Sequence, residues 1–285
     1  MEIIESVKEM QARSGALRKD GQVISLVPTM GYLHEGHLAL MRVGRKRGDC
    51  LVVSIYVNPA QFSPGEDFER YPRDFERDCE LCREVGVDII FCPGSAEMYP
   101  EGYLTYVNVE EITRELCGLT RPNYFRGVTT ICAKLFNIVH PHLAIFGKKD
   151  FQQYQVIRQM VRDLNMEVEI IGLATVREKD GLAMSSRNVY LNDRERAAAL
   201  SLSRSLLLAR DMYAEGERDA LTILAKVKKM IESEPATSID YARIVGTATM
   251  REVTRIDGEA VIALAVKVGK TRLIDNHVFG EDLVI

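Results

Sequence analysis

Two histidines, His34 and His37, follow the first strongly apolar segment of the chain, VISLV at residues 23–27. Both histidines lie in PTMGYLHEGH, residues 28–37. The residues that follow, LALMRVGRKRG, have the apolar periodicity of a helix. A separation of three places both imidazoles on one face of the first helical turn, where backbone N–H groups and the helix dipole attract anions. Gly31 and Gly36 leave room for a nucleotide close to the backbone. The spacing therefore favours phosphate binding.

Two later segments place polar groups directly after strand-like residues. GKKDFQQ at residues 147–153 brings Lys149 to a predicted helix start, where the helix dipole opposes a cation unless an anion offsets it. AMSSR at residues 183–187 brings two hydroxyls and the permanent charge of Arg187. Taken alone, the first segment stays open to a solvated lysine pair and the second to a connecting loop.

Metal binding is a weaker interpretation of these residues. In an HExxH zinc site the histidines are four apart, whereas His34 and His37 are three apart with Gly36 between them. A helix start with two exposed histidines remains a second alternative for this motif. Cys79 and Cys82 form a CxxC, but on a predicted helix their spacing places both on one face, and no second pair completes a tetrahedral site. Packing is the favoured role for these cysteines.

The elements that must position these groups alternate between strands and helices. Apolar, strand-like runs occur at residues 23–27, 51–57, 87–92, 143–147 and 168–173. Because their apolar character is almost continuous, they predict a parallel sheet covered by helices on both faces. The fold class is therefore α/β, with a Rossmann-like doubly wound parallel sheet, whose ligands bind beyond the carboxyl ends of the strands.

The character of the chain changes near residue 174. Two amphipathic helices are predicted at residues 193–214 and 219–234, followed by strands at 239–245, 260–268 and 271–275. Gly269-Lys270 between the last two strands is typical of a tight hairpin turn. We expect residues 1–174 to form a Rossmann-like, nucleotide-binding domain and residues 175–285 to form a smaller α+β domain.

Composition narrows the class of protein. The 285 residues are 46% hydrophobic, with 41 acidic and 37 basic residues and no long basic block, which argues against nucleic-acid binding. No apolar run reaches the length of about 18 residues that a membrane helix needs, and the acidic, amphipathic N-terminus is unlike a secretory signal. Six scattered cysteines suit a reducing compartment. We expect a cytoplasmic protein that acts on small molecules, with no nucleic-acid or membrane partner.

An HxGH on the first β/α turn, together with a late loop like a degenerate KMSKS motif, resembles the adenylate-forming nucleotidylyltransferase superfamily. Within it, five blocks in the same order resemble the pantoate–β-alanine ligase family: PTMGYLHEGH, SIYVNPAQF, RPNYFRGV, FGKKDFQQ and VREKDGLAMSSRNVYL. The blocks fall between about residue 23 and residue 191, and the rest of the chain is compatible with the family's smaller C-terminal domain. The resemblance implies that residues 1–174 bind nucleotide and pantoate and that residues 175–285 form a lid domain. Ala183 and Ser186 stand where a KMSKS loop has lysines, so the resemblance assigns the fixed positive charge to Lys149 and Arg187.

The resemblance implies an ATP site and a substrate site. The implied ATP-binding residues are Met30, Gly31, Tyr32, Leu33, His34, Glu35, Gly36, His37, Gly147, Lys148, Lys149, Asp150, Val176, Met184, Ser185, Ser186 and Arg187. The implied catalytic residues are His37, His34, Lys149 and Arg187. The implied substrate-binding residues are Gln61, Gln153, Asn58, Tyr71 and Arg121, beside an apolar wall of Pro28, Met30 and Phe62. Magnesium is an implied cofactor, but its ligands are unknown, since the segment around Asp78 does not align.

The implied reaction has two steps. Pantoate's carboxylate attacks the α-phosphorus of MgATP to give pantoyl adenylate, and the amine of β-alanine then displaces AMP. The family also suggests a homodimer. The residues leave two other functions open: a nucleotidylyltransferase acting on a phosphorylated acceptor, and a nucleotide-binding regulator. The candidate acceptor site favours the ligase, since Gln61 and Gln153 offer amides where a second phosphate would require cations.

Overall fold

The structure, a computed structural model, describes residues 1–283. It divides into two compact units. The first unit comprises Met1–Glu110, Thr120–Lys148 and Val156–Ala174. The second comprises Glu111–Leu119, Lys149–Gln155 and the chain from Thr175 onward. The functions predicted for residues 1–174 and 175–285 stay predictions.

The first unit is built on a six-stranded parallel sheet. Its strands are β1 (Glu2–Ile4), β2 (Ile24–Thr29), β3 (Cys50–Ile55), β4 (Ile89–Phe91), β5 (Leu143–Gly147) and β6 (Glu169–Leu173). Their order across the sheet is β1-β4-β3-β2-β5-β6, so the chain leaves β2 toward one edge and later crosses to the other. Ligands of such sheets bind beyond the carboxyl ends of the strands, and here β2 and β5 run directly into the predicted phosphate-binding segments.

Helices cover the sheet because both of its faces are apolar. The α-helices of the chain are α1 (Val7–Lys19), α2 (Glu35–Arg47), α3 (Phe75–Val85), α4 (Ser95–Met98), α5 (Cys117–Thr120), α6 (Tyr124–Val139), α7 (Phe151–Asp163), α8 (Asp193–Ala214) and α9 (Ala220–Glu232). Val27 and Val53 pack with residues of α2 and α3, while the alternate residues Leu26 and Val52 are equally buried. Helices α1 and α6 pack against each other and both contact β2.

The second unit has a small antiparallel sheet. Its strands are β7 (Thr237–Gly246), β8 (Ala260–Val268) and β9 (Thr271–Val278), in the order β7-β8-β9. Helices α8 and α9 bury their apolar faces against this sheet in a core that contains Leu206, Val227 and Leu264. The tight turn predicted at Gly269-Lys270 joins β8 to β9.

The predicted fold class is confirmed: a doubly wound parallel sheet with a second, smaller α+β unit. Strand β1 was not predicted. It is three residues long with one buried side chain, and it exists by pairing in parallel with β4, from Glu2↔Ile89 to Ile4↔Phe91. Within residues 1–283, no helix combines the length and the apolar character needed to cross a membrane.

Candidate active site

The strand-to-helix turn after β2 is shaped by its backbone. Gly31 and Tyr32 both have positive φ, 80° and 51°, and Tyr32 is strained because side chains with a Cβ disfavour this region. Thr29 Oγ1 donates to the carbonyl of Ser54 at 2.7 Å and accepts from the Gly31 N–H at 3.2 Å. Helix α2 then begins at Glu35 with His34 as its N-cap. The turn therefore places both histidines at a helix N-terminus, as predicted.

A buried carboxylate from α3 holds this turn in place. Asp78 is 1% exposed, and its two oxygens accept the N–H groups of Tyr32 and Leu33 at 2.7 Å each. Arg77, beside it, donates to the Leu33 carbonyl at 3.0 Å. Burial raises the pKa of Asp78, and the two backbone N–H donors partly oppose that rise. A β-carbon on Gly31 would lie 3.0 Å from an Asp78 oxygen, so the turn and the carboxylate fit closely.

The imidazole of His37 is oriented by the helix N-terminus itself. Its Nδ1 accepts the backbone N–H of His34 at 3.3 Å. A neutral imidazole that accepts at Nδ1 carries its proton at Nε2. The two imidazole rings lie with centroids 4.0 Å apart. His37 Nε2 is therefore a hydrogen-bond donor, which is the chemistry that a phosphate oxygen requires.

Amide groups lie beside the same turn. The Gln61 side chain donates from Nε2 to the sulfur of Met30 at 3.1 Å and accepts at Oε1 from Asn58 Nδ2 at 3.1 Å. Asn58 is 1% exposed and receives the hydroxyl of Tyr99 at 2.9 Å. Burial raises the pKa of Tyr99, so this hydroxyl stays a donor. Two residues predicted to bind substrate are thus fixed next to a residue predicted to bind ATP.

Arg121 holds the chain beside these amides. Its guanidinium makes two 2.7 Å hydrogen bonds to Glu66 and donates to the backbone carbonyl of Gln61 at 3.2 Å. It also lies over the ring of Tyr124, 3.7 Å from the centroid. Tyr71, 5% exposed, packs edge-on against Phe62, with ring centroids 6.1 Å apart. The predicted substrate-binding roles of Arg121 and Tyr71 stay predictions, and these contacts show how both side chains are oriented.

Helix α6 approaches the amide segment at a glycine. A β-carbon on Gly127 would meet the carbonyl oxygen of Ala60 at 2.2 Å and the nitrogen of Gln61 at 2.7 Å. The Gly127 carbonyl accepts from Asn58 Nδ2 at 3.1 Å. This close contact fixes the 3₁₀ turn Pro59–Gln61 against the helix.

The remaining predicted residues follow β5 or belong to the second unit. Gly147 ends β5, Lys148–Asp150 forms a 3₁₀ turn, and Gln153 lies in the first turn of α7. The neighbouring Gln152 is buried and bonds to the backbone of residues 112, 115 and 117. The Lys149 carbonyl accepts from Asn276 Nδ2 at 2.8 Å. The structure thus fixes the main chain that carries the predicted catalytic lysine.

Val176 and the serine-arginine loop are parts of one hairpin. The N–H of Met184 donates to the Val176 carbonyl at 3.0 Å, and Arg177 pairs with Ala183. Ser185 then caps the 3₁₀ turn Ser186–Tyr190, accepting at its hydroxyl from the Arg187 N–H at 3.3 Å. Each unit therefore brings its own set of predicted residues together. That the two sets act on one triphosphate stays a prediction.

The structure adds three residues that sequence reasoning missed, Thr29, Gly127 and Asn276, and it gives Asp78, which the sequence suggested only as a candidate magnesium contact, a role in holding the histidine turn. Asp78, Thr29 and Gly127 shape the first unit's site, and Asn276 holds Lys149 in the second. The six cysteines are free thiols, and burial raises the pKa of Cys82 to about 12. Within residues 1–283, no group of three or more histidine, cysteine, aspartate or glutamate side chains is arranged to hold a metal ion.

Comparison with known proteins gives consistent results. A family model described as pantoate-beta-alanine ligase matches residues 2–278. The pantothenate synthetase of Syntrophus aciditrophicus (strain SB) is 66% identical over 285 residues, which is 100% of both chains. The crystal structure of pantothenate synthetase from Thermus thermophilus has a TM-score of 0.92 at 45% identity, covering 97% of this chain and 99% of that one. The pantoate-beta-alanine ligase of Francisella tularensis, complexed with beta-gamma ATP and beta-alanine, has a TM-score of 0.81 at 31% identity, covering 98% of this chain and 97% of that one.

The parallel sheet, with its histidine turn at the carboxyl end of β2, defines an α/β enzyme with a second, smaller α+β unit. The chain belongs to the pantoate-beta-alanine ligase family. The family predicted from the five sequence blocks is thereby confirmed, and so is the prediction that the chain is a ligase.

Proposed function

We propose that this chain condenses pantoate with β-alanine through a pantoyl adenylate, releasing pyrophosphate and AMP. One observation carries the proposal. In the first unit, the amide of Gln61 contacts Met30 of the histidine turn, so a group suited to the hydroxyls and carboxylate of a small organic acid lies beside groups suited to phosphate. A transferase for a phosphorylated acceptor would need cations there, and a regulator would need no acceptor site.

Activation must precede amide formation. A free carboxylate resists attack because its leaving group would be an oxide, whereas AMP leaves readily from an acyl adenylate. The protein's task is to bring two anions together in line and to stabilise the charge that gathers on the phosphate oxygens. We propose that His37 donates from Nε2 to those oxygens and that Lys149 and Arg187 supply fixed positive charge. Donors of this kind typically contribute about 3 kcal/mol each to transition-state stabilisation.

The remaining predicted residues receive roles on the same basis. We assign the backbone of residues 30–37 and 147–150, together with Val176 and residues 184–187, to ATP. Gln61 and Gln153 would read the hydroxyls and carboxylate of pantoate, and Gln61 would also lie near the β-alanine amine. The ligase from Francisella tularensis, complexed with beta-gamma ATP and beta-alanine, supports ATP and β-alanine as ligands.

The proposal includes magnesium as an ion bound to ATP. Mg²⁺ in enzymes that use ATP is commonly held by substrate phosphates and waters with one or two carboxylates. Both oxygens of Asp78, the acidic residue beside the histidine turn, already accept backbone N–H groups. We therefore propose that the substrate is MgATP, and we assign the metal no protein ligand.

Finer proposals on location, assembly and the roles of the two parts of the chain rest on the composition and on the family resemblance. We propose that the chain acts in the cytoplasm as a homodimer, with residues 1–174 binding nucleotide and pantoate and residues 175–285 serving as a lid. Light scattering of the purified chain between 1 and 100 μM, roughly the range of moderately tight association, tests the oligomeric state. A monomer throughout this range would contradict the dimer.

The decisive experiment detects the products. Purified chain is supplied with ATP, magnesium, pantoate and β-alanine, and mass spectrometry measures pantothenate and AMP. The proposal requires both in equal amounts. Exchange of labelled pyrophosphate into ATP should depend on pantoate and proceed without β-alanine. Exchange that responds instead to a phosphate monoester would support the transferase, and binding of ATP without any AMP would support the regulator.

Variants test the residue roles. His37→Ala and Lys149→Ala should each lower adenylation by about a hundredfold or more, since each removes a donor to the transition state. Circular dichroism should be unchanged, because neither side chain is part of the core. Wild-type adenylation in either variant would disprove the role of that residue.

Substrate analogues test the pocket. Buried amides left without partners discriminate strongly, whereas a lost methyl costs little. A pantoate analogue lacking a hydroxyl should therefore lose far more rate than one lacking a methyl group. The opposite ranking would contradict recognition of pantoate by the amides of Gln61 and Gln153.

A further inference from the structure

Strand β9 carries two adjacent polar residues that are both buried. Asp275 is 3% exposed and Asn276 is 8% exposed, although β9 lies at the edge of its sheet. Burying an ionised carboxylate and an amide is unfavourable unless each is hydrogen bonded. Their partners are Lys149, which is predicted to bind ATP, and Arg177, which follows Val176 in the hairpin that leads to the loop Met184–Arg187.

Asn276 holds the backbone of the predicted catalytic lysine. Its Nδ2 donates to the carbonyl of Lys149 at 2.8 Å, across a sequence separation of 127 residues. The bond fixes the Lys149 main chain at the 3₁₀ turn Lys148–Asp150, immediately before α7. This hydrogen bond does not involve the ammonium group of Lys149. Asn276 thus orients the lysine without competing for its charge.

Asp275 holds the hairpin that ends in the serine-arginine loop. It accepts two hydrogen bonds from the guanidinium of Arg177, at 2.6 Å and 3.0 Å, and the two side chains are 2% and 4% exposed. Arg177 also donates to the carbonyl of Gly181 at 3.2 Å, across the hairpin. The same hairpin bonds the N–H of Met184 to Val176 at 3.0 Å. Asp275 therefore fixes the residues from which the loop departs.

The two anchors are joined to each other. The backbone N–H of Asn276 donates to Asp275 Oδ1 at 2.9 Å, and both residues pair with buried residues of strand β8. We infer that Asp275 and Asn276 are positioning residues that hold Lys149 and the loop Met184–Arg187 in one fixed arrangement. This inference rests on the proposed function, because that function assigns both segments to ATP.

Stability alone does not account for this arrangement. A buried ion pair such as Arg177–Asp275 is often no more stabilising than apolar residues of similar volume, because both charges lose their hydration. Its two-pronged geometry instead fixes direction and distance. Supporting hydrogen bonds of this kind hold reactive groups at the accuracy that catalysis needs.

The first experiment uses Asn276→Ala and Asn276→Asp. The alanine variant removes the whole side chain, and the aspartate variant keeps its shape but removes the donor to Lys149. Each should lower pantoate-dependent adenylation by about tenfold or more, since small displacements of a catalytic group are costly. The KM for β-alanine should stay unchanged, because only the reaction of pantoate with ATP is affected.

A control variant separates positioning from loss of stability. Asp219 caps α9 in the same unit, accepting the N–H of Thr222, and it has no part in the ATP assignment. Asp219→Ala should lower the melting temperature while leaving adenylation unchanged. If adenylation falls equally in Asp219→Ala and Asn276→Ala variants of equal melting temperature, the positioning role is overturned.

The positioning role of Asp275 requires a different experiment. Asp275→Asn alone leaves a buried guanidinium unpaired and risks unfolding. The double variant Asp275→Leu/Arg177→Met removes both charges and keeps apolar volume, so it should fold. Its adenylation should also fall by about tenfold or more. Wild-type adenylation in this folded double variant would overturn the role of Asp275.

Hydrogen exchange tests the anchoring without any catalysis. In Asn276→Ala, amides of residues 149–155 should exchange faster than in the wild type, and in the double variant the Met184 amide should do so. Exchange in α9 should be unchanged in both. If these amides keep wild-type exchange rates, the inference is wrong even if the ligase activity is confirmed. If they exchange faster but the wild-type chain makes no pantoyl adenylate, the anchoring stands and the proposed function fails.

Discussion

Replacing Gly127 with alanine is a severe test of how the acceptor site is built. The added methyl group would lie 2.2 Å from the Ala60 carbonyl oxygen, 2.4 Å from the Ala60 carbonyl carbon and 2.7 Å from the Gln61 nitrogen. All three contacts are with backbone, so rotation of a side chain cannot relieve them. Either α6 or the 3₁₀ turn Pro59–Gln61 must move.

The size of the movement follows from the distances. Ordinary contact begins at 3.4 Å, so the nearest atoms are about 1.2 Å too close. Overpacking of this kind typically costs about 1–3 kcal/mol, while a domain's stability is about 5–15 kcal/mol. The variant should therefore fold. A displacement of about 1 Å near reacting groups costs on the order of a hundredfold in rate, so activity should suffer more than stability.

The assay compares Gly127→Ala with a matched glycine in another helix. In α1, a β-carbon on Gly15 would meet no atom within 4 Å. Gly15→Ala should gain about 0.5–1 kcal/mol of stability and keep full activity. Gly127→Ala should lose about a hundredfold in kcat/KM for pantoate, with a smaller change in the KM for ATP. Wild-type kcat/KM for pantoate in a folded Gly127→Ala chain would refute the close packing of α6 on the amide segment.

Three further substitutions test other parts of the structure. Asp78→Asn leaves one N–H of the histidine turn without an acceptor, so it should lower the free energy of unfolding in urea by about 1–3 kcal/mol and raise the KM for ATP. If neither value changes, Asp78 does not hold the turn. Burial and nearby arginines lower the pKa of His277 from its ordinary 6.5 to about 4. As the pH falls, the unfolded state therefore binds a proton at this histidine before the folded state does. About 3 kcal/mol of stability should be lost between pH 6.5 and 4. This pH dependence should largely vanish in His277→Gln, as measured by melting temperature across that range. Glu66→Gln weakens the paired hydrogen bonds to Arg121 and should raise the KM for pantoate several-fold, whereas an unchanged KM would show that this pair has no part in the pocket.

Elements set by local sequence could be predicted well. Helix α8 spans Asp193–Ala214, the predicted range, because Asn192 and Glu195 form a capping box and the apolar pattern is long. Helix α9 was predicted to reach residue 234 but ends at Glu232, and Asp219 serves as its N-cap. Helix ends are weakly specified by sequence, since the last turn has few backbone bonds.

The sequence predicted which segments form the site, but it did not predict the residues that hold those segments in place. The histidine turn and the lysine turn lie directly after β2 and β5, where sheet geometry places ligands. Their supports come from far away in sequence: Asp78 lies 46 residues from Tyr32, and Asn276 lies 127 residues from Lys149. No periodicity or motif connects residues at such separations, so only the folded structure brings them together.

The supports share a physical logic. Asp78 holds backbone N–H groups of the histidine turn, Gly127 packs on the backbone before Gln61, and Asn276 holds the backbone carbonyl of Lys149. Because each of these three supports contacts main-chain atoms, it does not use the hydrogen-bonding groups of the neighbouring side chain. The fold therefore holds the main chain beneath the reactive side chain. Substitutions at such supports should lower kcat/KM although no substrate contact is removed, and their effects should depend on how far the backbone moves.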